Sequence, residues 1–148
     1  MSSLEEAFGI NSIEIREEVE SREMAISVAG ELLVGSGRVD PEYVLSMLEA
    51  IEKFGPYIVI APGIALAHGK PSEAVKETGL SLLVLRQAIE FKHSQNDPVQ
   101  LVFGLAAKDH DLHIGLMSEL AEFLSDPSNV NFLRTSSDPD QIRAFLAR

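Results

Sequence analysis

The chain contains no cysteine, so disulfides, thiolate metal sites and a cysteine nucleophile are excluded, and any covalent chemistry falls to other side chains. It is also short of basic residues. Twelve Lys and Arg stand against 23 Asp and Glu, for a formal net charge of −11. That balance repels a nucleic-acid backbone and an anionic lipid surface but suits a protein partner with a basic face. No apolar run approaches the roughly 20 residues of a membrane-spanning helix. The opening Met1-Ser2-Ser3-Leu4-Glu5-Glu6 lacks the basic and apolar regions of a secretory leader. The expectation is a cytoplasmic protein that binds no nucleic acid and inserts into no membrane. Repeats, low-complexity tracts and long linkers are missing as well. With 148 residues, 45% of them hydrophobic, this predicts a single domain over residues 1–148 with a substantial core.

What is present is apolar periodicity. A short acidic amphipathic opening around Leu4 to Phe8 precedes an alternating strand over 12–15. Ala25, Val28, Ala29, Leu32 and Leu33 recur at helical spacing over 21–34, and Gly35 and Gly37 supply stop signals. Asp40-Pro41 reads as a helix start, the aspartate as N-cap and the proline in the first helical position. Val44, Met47, Leu48 and Ile51 then mark one apolar face, and Gly55 ends it. Three extended runs follow: 57–60 continuing through 64–67, then 80–85, then 99–105. The last two are nearly continuous apolar stretches, as expected of strands covered on both faces. A helix over 110–125, capped by Asp109, carries Met117, Leu120, Ala121 and Leu124 on one stripe, with His113 on the same stripe. Shorter helices are predicted over 128–134 and 139–147, the second opened by Asp138-Pro139. The alternation predicts an α/β fold with a mixed, mostly parallel central sheet flanked by helices on both faces.

With cysteine absent, histidine is the leading candidate for covalent chemistry. His68 ends the apolar run Ile64-Ala65-Leu66-Ala67 and leads straight into Gly69. A histidine there either caps a strand end or serves as a nucleophile, with a rigid strand behind it, no bulky neighbour in front, and an imidazole largely neutral near pH 7. His113 lies in the first turn of its helix, just beyond a strand's carboxyl end, where ligands of open α/β sheets bind and free amides favour anions. If the two strands run parallel and adjacent, the imidazoles meet at one rim. The competing readings are a partly buried core histidine at 113, or a metal site of His110, His113 and His68 with Asp109 or Asp111. Against the metal stands the lack of any HExxH motif. No serine occupies a G-x-S-x-G elbow. Gly63, Gly69 and Gly79 build no phosphate-cradling loop, so a phosphoryl group would arrive on another protein rather than on a nucleotide. His93 lies in a polar loop, where a turn-stabilising role is the default. Arg38, Arg86 and Lys70 are candidates to hold an anion, and Glu49, Glu52 and Glu73 read as solvated helix faces.

These residues carry a likeness. The helix before Gly55, the segment Ile64-Ala65-Leu66-Ala67-His68-Gly69, the strand over 80–85, Ile89-Glu90-Phe91, the segment 99–107 and the later His113 resemble the enzyme IIA proteins of the bacterial phosphoenolpyruvate-dependent sugar phosphotransferase system, in the mannitol/fructose superfamily. Gly55-Pro56-Tyr57, Ala61-Pro62-Gly63, Val75-Lys76-Glu77-Thr78-Gly79 and Asn96-Asp97-Pro98-Val99 look most like its L-ascorbate branch. The resemblance implies that His68 accepts a phosphoryl group from the phosphohistidine of HPr, through Nε2, and passes it to a cysteine of enzyme IIB. The membrane permease, enzyme IIC, would then phosphorylate its substrate during uptake. His113 would steady the phosphoryl group, and the scheme requires no cofactor or metal. A homo-oligomer is compatible with it. The alternative is a regulatory, nitrogen-type relative acting through phosphorylation-dependent partner binding. Two positions depart from the pattern: Ala67 stands where proline commonly precedes the active histidine, and Glu52 aligns with an active-site arginine of the mannitol branch.

Overall fold

The two runs read as doubly covered strands become neighbours in the interior of a five-stranded sheet in the computed structural model, which describes residues 3–147. The strands are β1 (Phe8–Arg16), β2 (Val59–Ala61), β3 (Ile64–His68), β4 (Gly79–Ile89) and β5 (Val99–Ala106), arranged in the order β1-β4-β5-β3-β2. β1 runs parallel to β4, and β3 parallel to β5. β4 and β5 pair antiparallel, as do β2 and β3. The sheet is mixed, as the alternation of elements predicts.

Because successive side chains of a strand point to opposite faces, the apolar runs of β4 and β5 build two cores at once. Leu83, Leu85, Val99 and Val102 pack on one side with Ala25, Ile26 and Leu33 of α2 (Arg22–Gly35) and Tyr43, Met47 and Ile51 of α3 (Glu42–Phe54). Leu82, Val84, Leu101 and Phe103 face the other way. They meet Leu4 of α1 (Ser3–Ala7), Leu116 and Leu120 of α4 (His110–Leu124), Leu133 of α5 (Pro127–Thr135), and Ile142 and Leu146 of α6 (Pro139–Leu146). Each buried leucine removes enough apolar surface to contribute about 1.5–3 kcal/mol. A polar substitution at any of these strand positions would fall in one core or the other.

Four local expectations change. Asp40 does not cap α3: Pro41 takes the N-cap place without a side-chain bond. The cause lies across the chain, where Val39 bridges Val75 and the Asp40 amide donates to the Ala74 carbonyl at 2.7 Å. That pairing turns the Asp40 carboxylate toward Lys76 Nζ at 2.9 Å. By contrast Asp109, Asp126 and Asp138 do cap, accepting from Leu112, Ser128 and Asp140 amides. The extended run at 57–60 is broken, since Pro56–Ile58 forms a 3-10 turn and only Val59–Ala61 is strand. On α4 the inner stripe runs through Leu116 and Leu120, with Met117 and Leu124 half-buried and Ala121 exposed. The strand β1 also begins earlier than the alternation at 12–15 suggests, with a register shift before Ile13 where Asn11 takes φ 64°.

Candidate functional site

The carboxyl ends of β3 and β5 coincide, with His68 the last residue of β3 opposite Leu105. Since these strands are parallel and adjacent, both exits open on one rim of the sheet, and the short segment 107–109 carries β5 directly into α4. His113 therefore sits in the first turn of α4, where its amide donates to the Asp109 carbonyl at 3.1 Å and Asp109 Oδ1 accepts from Leu112 N at 2.8 Å. The two imidazole rings meet edge to face, with centroids 5.1 Å apart at 72°.

The His68 ring is oriented by its own strand. Nδ1 lies 3.0 Å from the Leu66 carbonyl oxygen, and because a carbonyl can only accept, Nδ1 carries the proton. In the neutral ring this leaves the lone pair on Nε2, which faces the Tyr57 hydroxyl at 3.4 Å. The tautomer with a nucleophilic Nε2 is thus selected by a main-chain atom.

His113 is half-buried, and burial first, then the neighbouring His68 and His110, hold its imidazole below the ordinary histidine range. It is neutral at pH 7 and able to donate one N–H. Tyr57 completes the cluster: its ring stands edge-on to His68 with centroids 5.8 Å apart, and Phe54 stands edge-on to Tyr57 at 5.8 Å. Gly55, at φ 75°, takes a conformation that favours glycine and turns α3 into the Pro56–Ile58 element that delivers Tyr57. A cleft of about 160 Å³ beside Tyr57 is lined by Ser46, Lys53, Phe54 and Lys70. Two cations, Lys53 and Lys70, thus share its wall with Glu49.

The exit of β3 is held from beneath. The buried Tyr43 hydroxyl donates to the Leu105 carbonyl at 2.7 Å and accepts from the Gly69 amide at 2.9 Å. Burial pushes its phenol up to about 12, so the proton stays in place. Gly69 is required by closeness: a Cβ there would stand 2.8 Å from Ser46 Cβ and nearer still to its hydroxyl.

The other candidates lie elsewhere. His93 Nδ1 accepts from the Gln95 and Asn96 amides, which makes it a turn stabiliser. The Arg38 guanidinium donates to the Glu6 and Thr78 carbonyls, and that of Arg86 to the Arg134 and Ser136 carbonyls. Lys70 is exposed, and its backbone amide donates to Ser46 Oγ at 3.2 Å. Glu52 lines a hollow with Ser21, the N-cap of α2, and with Met24 and Ser27 of that helix, about half a turn around α3 from Tyr43, and so faces away from His68. Among the described residues, no three of His, Cys, Asp and Glu converge as a metal-binding group.

Sequence reasoning missed Tyr43 and Tyr57 as site residues. Tyr43 was accessible through its spacing, four residues before Met47 and eight before Ile51 on the inner face of α3. Tyr57 offered only its place in a Gly-Pro turn.

Comparison with known proteins places these features in context. The family described as "Phosphoenolpyruvate-dependent sugar phosphotransferase system, EIIA 2" matches residues 6–148. An ascorbate-specific PTS system EIIA component of Salmonella choleraesuis is 37% identical over 140 residues, covering 93% of this chain and 90% of that protein. One from Escherichia coli K12 is also 37% identical, over 139 residues, with the same coverage of 93% and 90%. Among solved structures, the mannitol-specific cryptic phosphotransferase enzyme IIA of Escherichia coli superposes with a TM-score of 0.87 at 28% identity over 99% of both chains. The enzyme IIA chain in the complex of enzyme IIAMTL and phosphorylated enzyme IIBMTL from Escherichia coli gives 0.82 at 31%, covering 94% of this chain and 96% of that one. The nitrogen regulatory protein IIA-Ntr of Neisseria meningitidis gives 0.82 at 28%, covering 98% and 99%.

Proposed function

We propose, from the premise that this chain belongs to the EIIA type 2 family of the phosphoenolpyruvate-dependent sugar phosphotransferase system, that His68 is its phosphoryl carrier residue. The chain is a phosphotransferase component. The donor is the phosphohistidine of HPr. The Nε2 lone pair of His68 forms a bond to phosphorus as the bond to the donor's ring nitrogen breaks, and that bonding pair stays on the donor ring. The positive charge of the donor's phosphoimidazolium passes to the His68 ring, where Nδ1–H points at the Leu66 carbonyl. His113, neutral and adjacent, donates to a phosphoryl oxygen. In the second half-reaction a thiolate of enzyme IIB attacks the same phosphorus, and Nε2 recovers its lone pair.

One observation carries this reading: His68 presents Nε2 at the rim of the sheet with Nδ1 already bonded to backbone, and a second, neutral imidazole 5.1 Å away. Transfer between groups of similar phosphoryl potential asks mainly for alignment and for donors to the equatorial oxygens. Exposed Tyr57 and Phe54, which stack edge-on toward His68, and exposed Leu112 and Ile114, on either side of His113 in α4, form an apolar rim for carrier docking. The net charge of −11 draws a basic carrier face toward it.

The relatives named ascorbate-specific support uptake of L-ascorbate or a related compound, with enzyme IIC reached only through enzyme IIB. No helix among the described residues is long and apolar enough to cross a membrane, in keeping with a cytoplasmic component acting as one EIIA unit. A second reading, regulation by phosphorylation-dependent binding, draws on the likeness to the nitrogen regulatory IIA-Ntr.

Incubation with phosphoenolpyruvate, enzyme I and HPr tests the proposal. The wild type gains an acid-labile phosphoryl group and His68→Gln does not. Equal labelling of the two removes His68 from the role. Subsequent loss of the label to an ascorbate-type enzyme IIB favours transport, and retention favours regulation.

A further inference from the structure

The reacting nitrogen of His68 faces one hydroxyl, that of Tyr57, at 3.4 Å. A phosphoryl group bonded to Nε2 lies along the lone pair that this hydroxyl now faces, so its oxygens enter the space the hydroxyl already borders. The guanidinium groups that would otherwise supply charge are engaged elsewhere. Arg38 and Arg86 are held by backbone carbonyls, and the helix position aligned with the mannitol-branch arginine is Glu52, on the far side of α3. Beside His113, the group nearest the reaction is therefore a phenol.

Resting on the phosphoryl-carrier reading of His68, we propose that Tyr57 is a catalytic residue whose O–H leaves the Nε2 lone pair and donates to an equatorial phosphoryl oxygen as the N–P bond forms. Phosphorus bonded to Nε2 takes the direction of the lone pair, so the hydroxyl oxygen shifts aside as its O–H turns to the equatorial oxygen. The half-exposed ring, met edge-on by Phe54 and His68, has solvent to move into. The shift uncovers the lone pair, so nucleophile release and oxygen stabilisation are one event. No proton is transferred: the phenol remains a phenol, the phosphoryl group keeps its charge, and Tyr57 contributes a dipole aimed at an oxygen on which charge accumulates. Burial raises the Tyr57 phenol above its ordinary range, which keeps the donor protonated at any pH at which the carrier works. The Pro56–Ile58 turn supplies the rigidity that such a donor needs.

The test is single-turnover transfer from phosphorylated HPr to the wild type, Tyr57→Phe and His68→Gln, with carrier concentration varied. Tyr57→Phe removes only the hydroxyl and keeps both ring contacts. Expected is a maximal rate lowered about tenfold, less than the roughly hundredfold or more for loss of a water-excluded oriented donor because the ring is half-exposed, with little change in the half-saturating carrier concentration. The phosphorus resonance of phosphorylated Tyr57→Phe should also shift from that of the wild type. An unchanged maximal rate, a change confined to half-saturation, or an unmoved resonance overturns the catalytic role while leaving His68 as carrier. A wild type that takes no label overturns both.

Discussion

Tyr43 joins the ends of two parallel strands one residue beyond His68: its hydroxyl donates to Leu105 O at 2.7 Å and receives Gly69 N–H at 2.9 Å. Tyr43→Phe leaves a buried amide and carbonyl without that partner, which costs about 1–3 kcal/mol. Urea unfolding should report the loss as a lower midpoint with an unchanged slope. Since β3 then loses its tether at its exit, the transfer rate should fall as well. A variant with wild-type stability would show that another donor or water takes over.

Gly69→Ala should be more damaging than an ordinary loop substitution. The new methyl meets Ser46 of α3 at van der Waals overlap, and the helix or the strand end must shift, costing about 1–3 kcal/mol. Combining it with Ser46→Gly removes the clash, so the double variant should be more stable than the sum of the single effects. Strict additivity in thermal or urea unfolding would place the cause elsewhere.

His113 makes stability sensitive to acid. Its folded pKa lies below the unfolded value, so between the two the unfolded chain binds the extra proton. The contribution of the neutral buried ring is present above about pH 6.5, the ordinary histidine value, and is lost as pH falls toward the folded value. His113→Gln should flatten the decline in urea midpoint between neutral and mildly acidic pH. Phosphorylation of His68 should reverse the sign, because a dianion beside the ring favours the imidazolium. Proton NMR titration should find the His113 midpoint higher in the phosphorylated protein than in the free one.

Association with a basic carrier should be fast at low salt and slow markedly as salt is raised, since the surplus of 11 negative charges acts over about one Debye length. The maximal transfer rate, read at saturating carrier, should move little. A salt effect on that maximal rate instead would indicate that charge acts at the chemical step.

The parts of this molecule legible in its sequence are those set by local pattern. Doubly covered β4 and β5, the caps at Asp109 and Asp138, and the arrival of His68 and His113 at strand ends all follow from periodicity and turn residues. Their meeting required only that β3 and β5 be parallel neighbours. What stayed hidden depends on atoms brought from afar. Asp40 has the same Asp-Pro signature as Asp126 and Asp138, yet a bridge between Val39 and Val75 takes it away from its helix. Tyr43 reads as one more apolar helix position, because a hydroxyl shows its purpose only beside the Gly69 and Leu105 backbone. Tyr57 reads as strand until Pro56 and Gly55 are seen to bend it into a turn.

The bond from His68 Nδ1 to the Leu66 carbonyl spans only two residues of one strand. Its acceptor belongs to the peptide unit, so no replacement of the Leu66 side chain can delete it. The choice of which His68 nitrogen keeps its lone pair is therefore sheltered from point mutation: sequence drift can rework every side chain around the histidine, while the tautomer persists for as long as the strand stays extended.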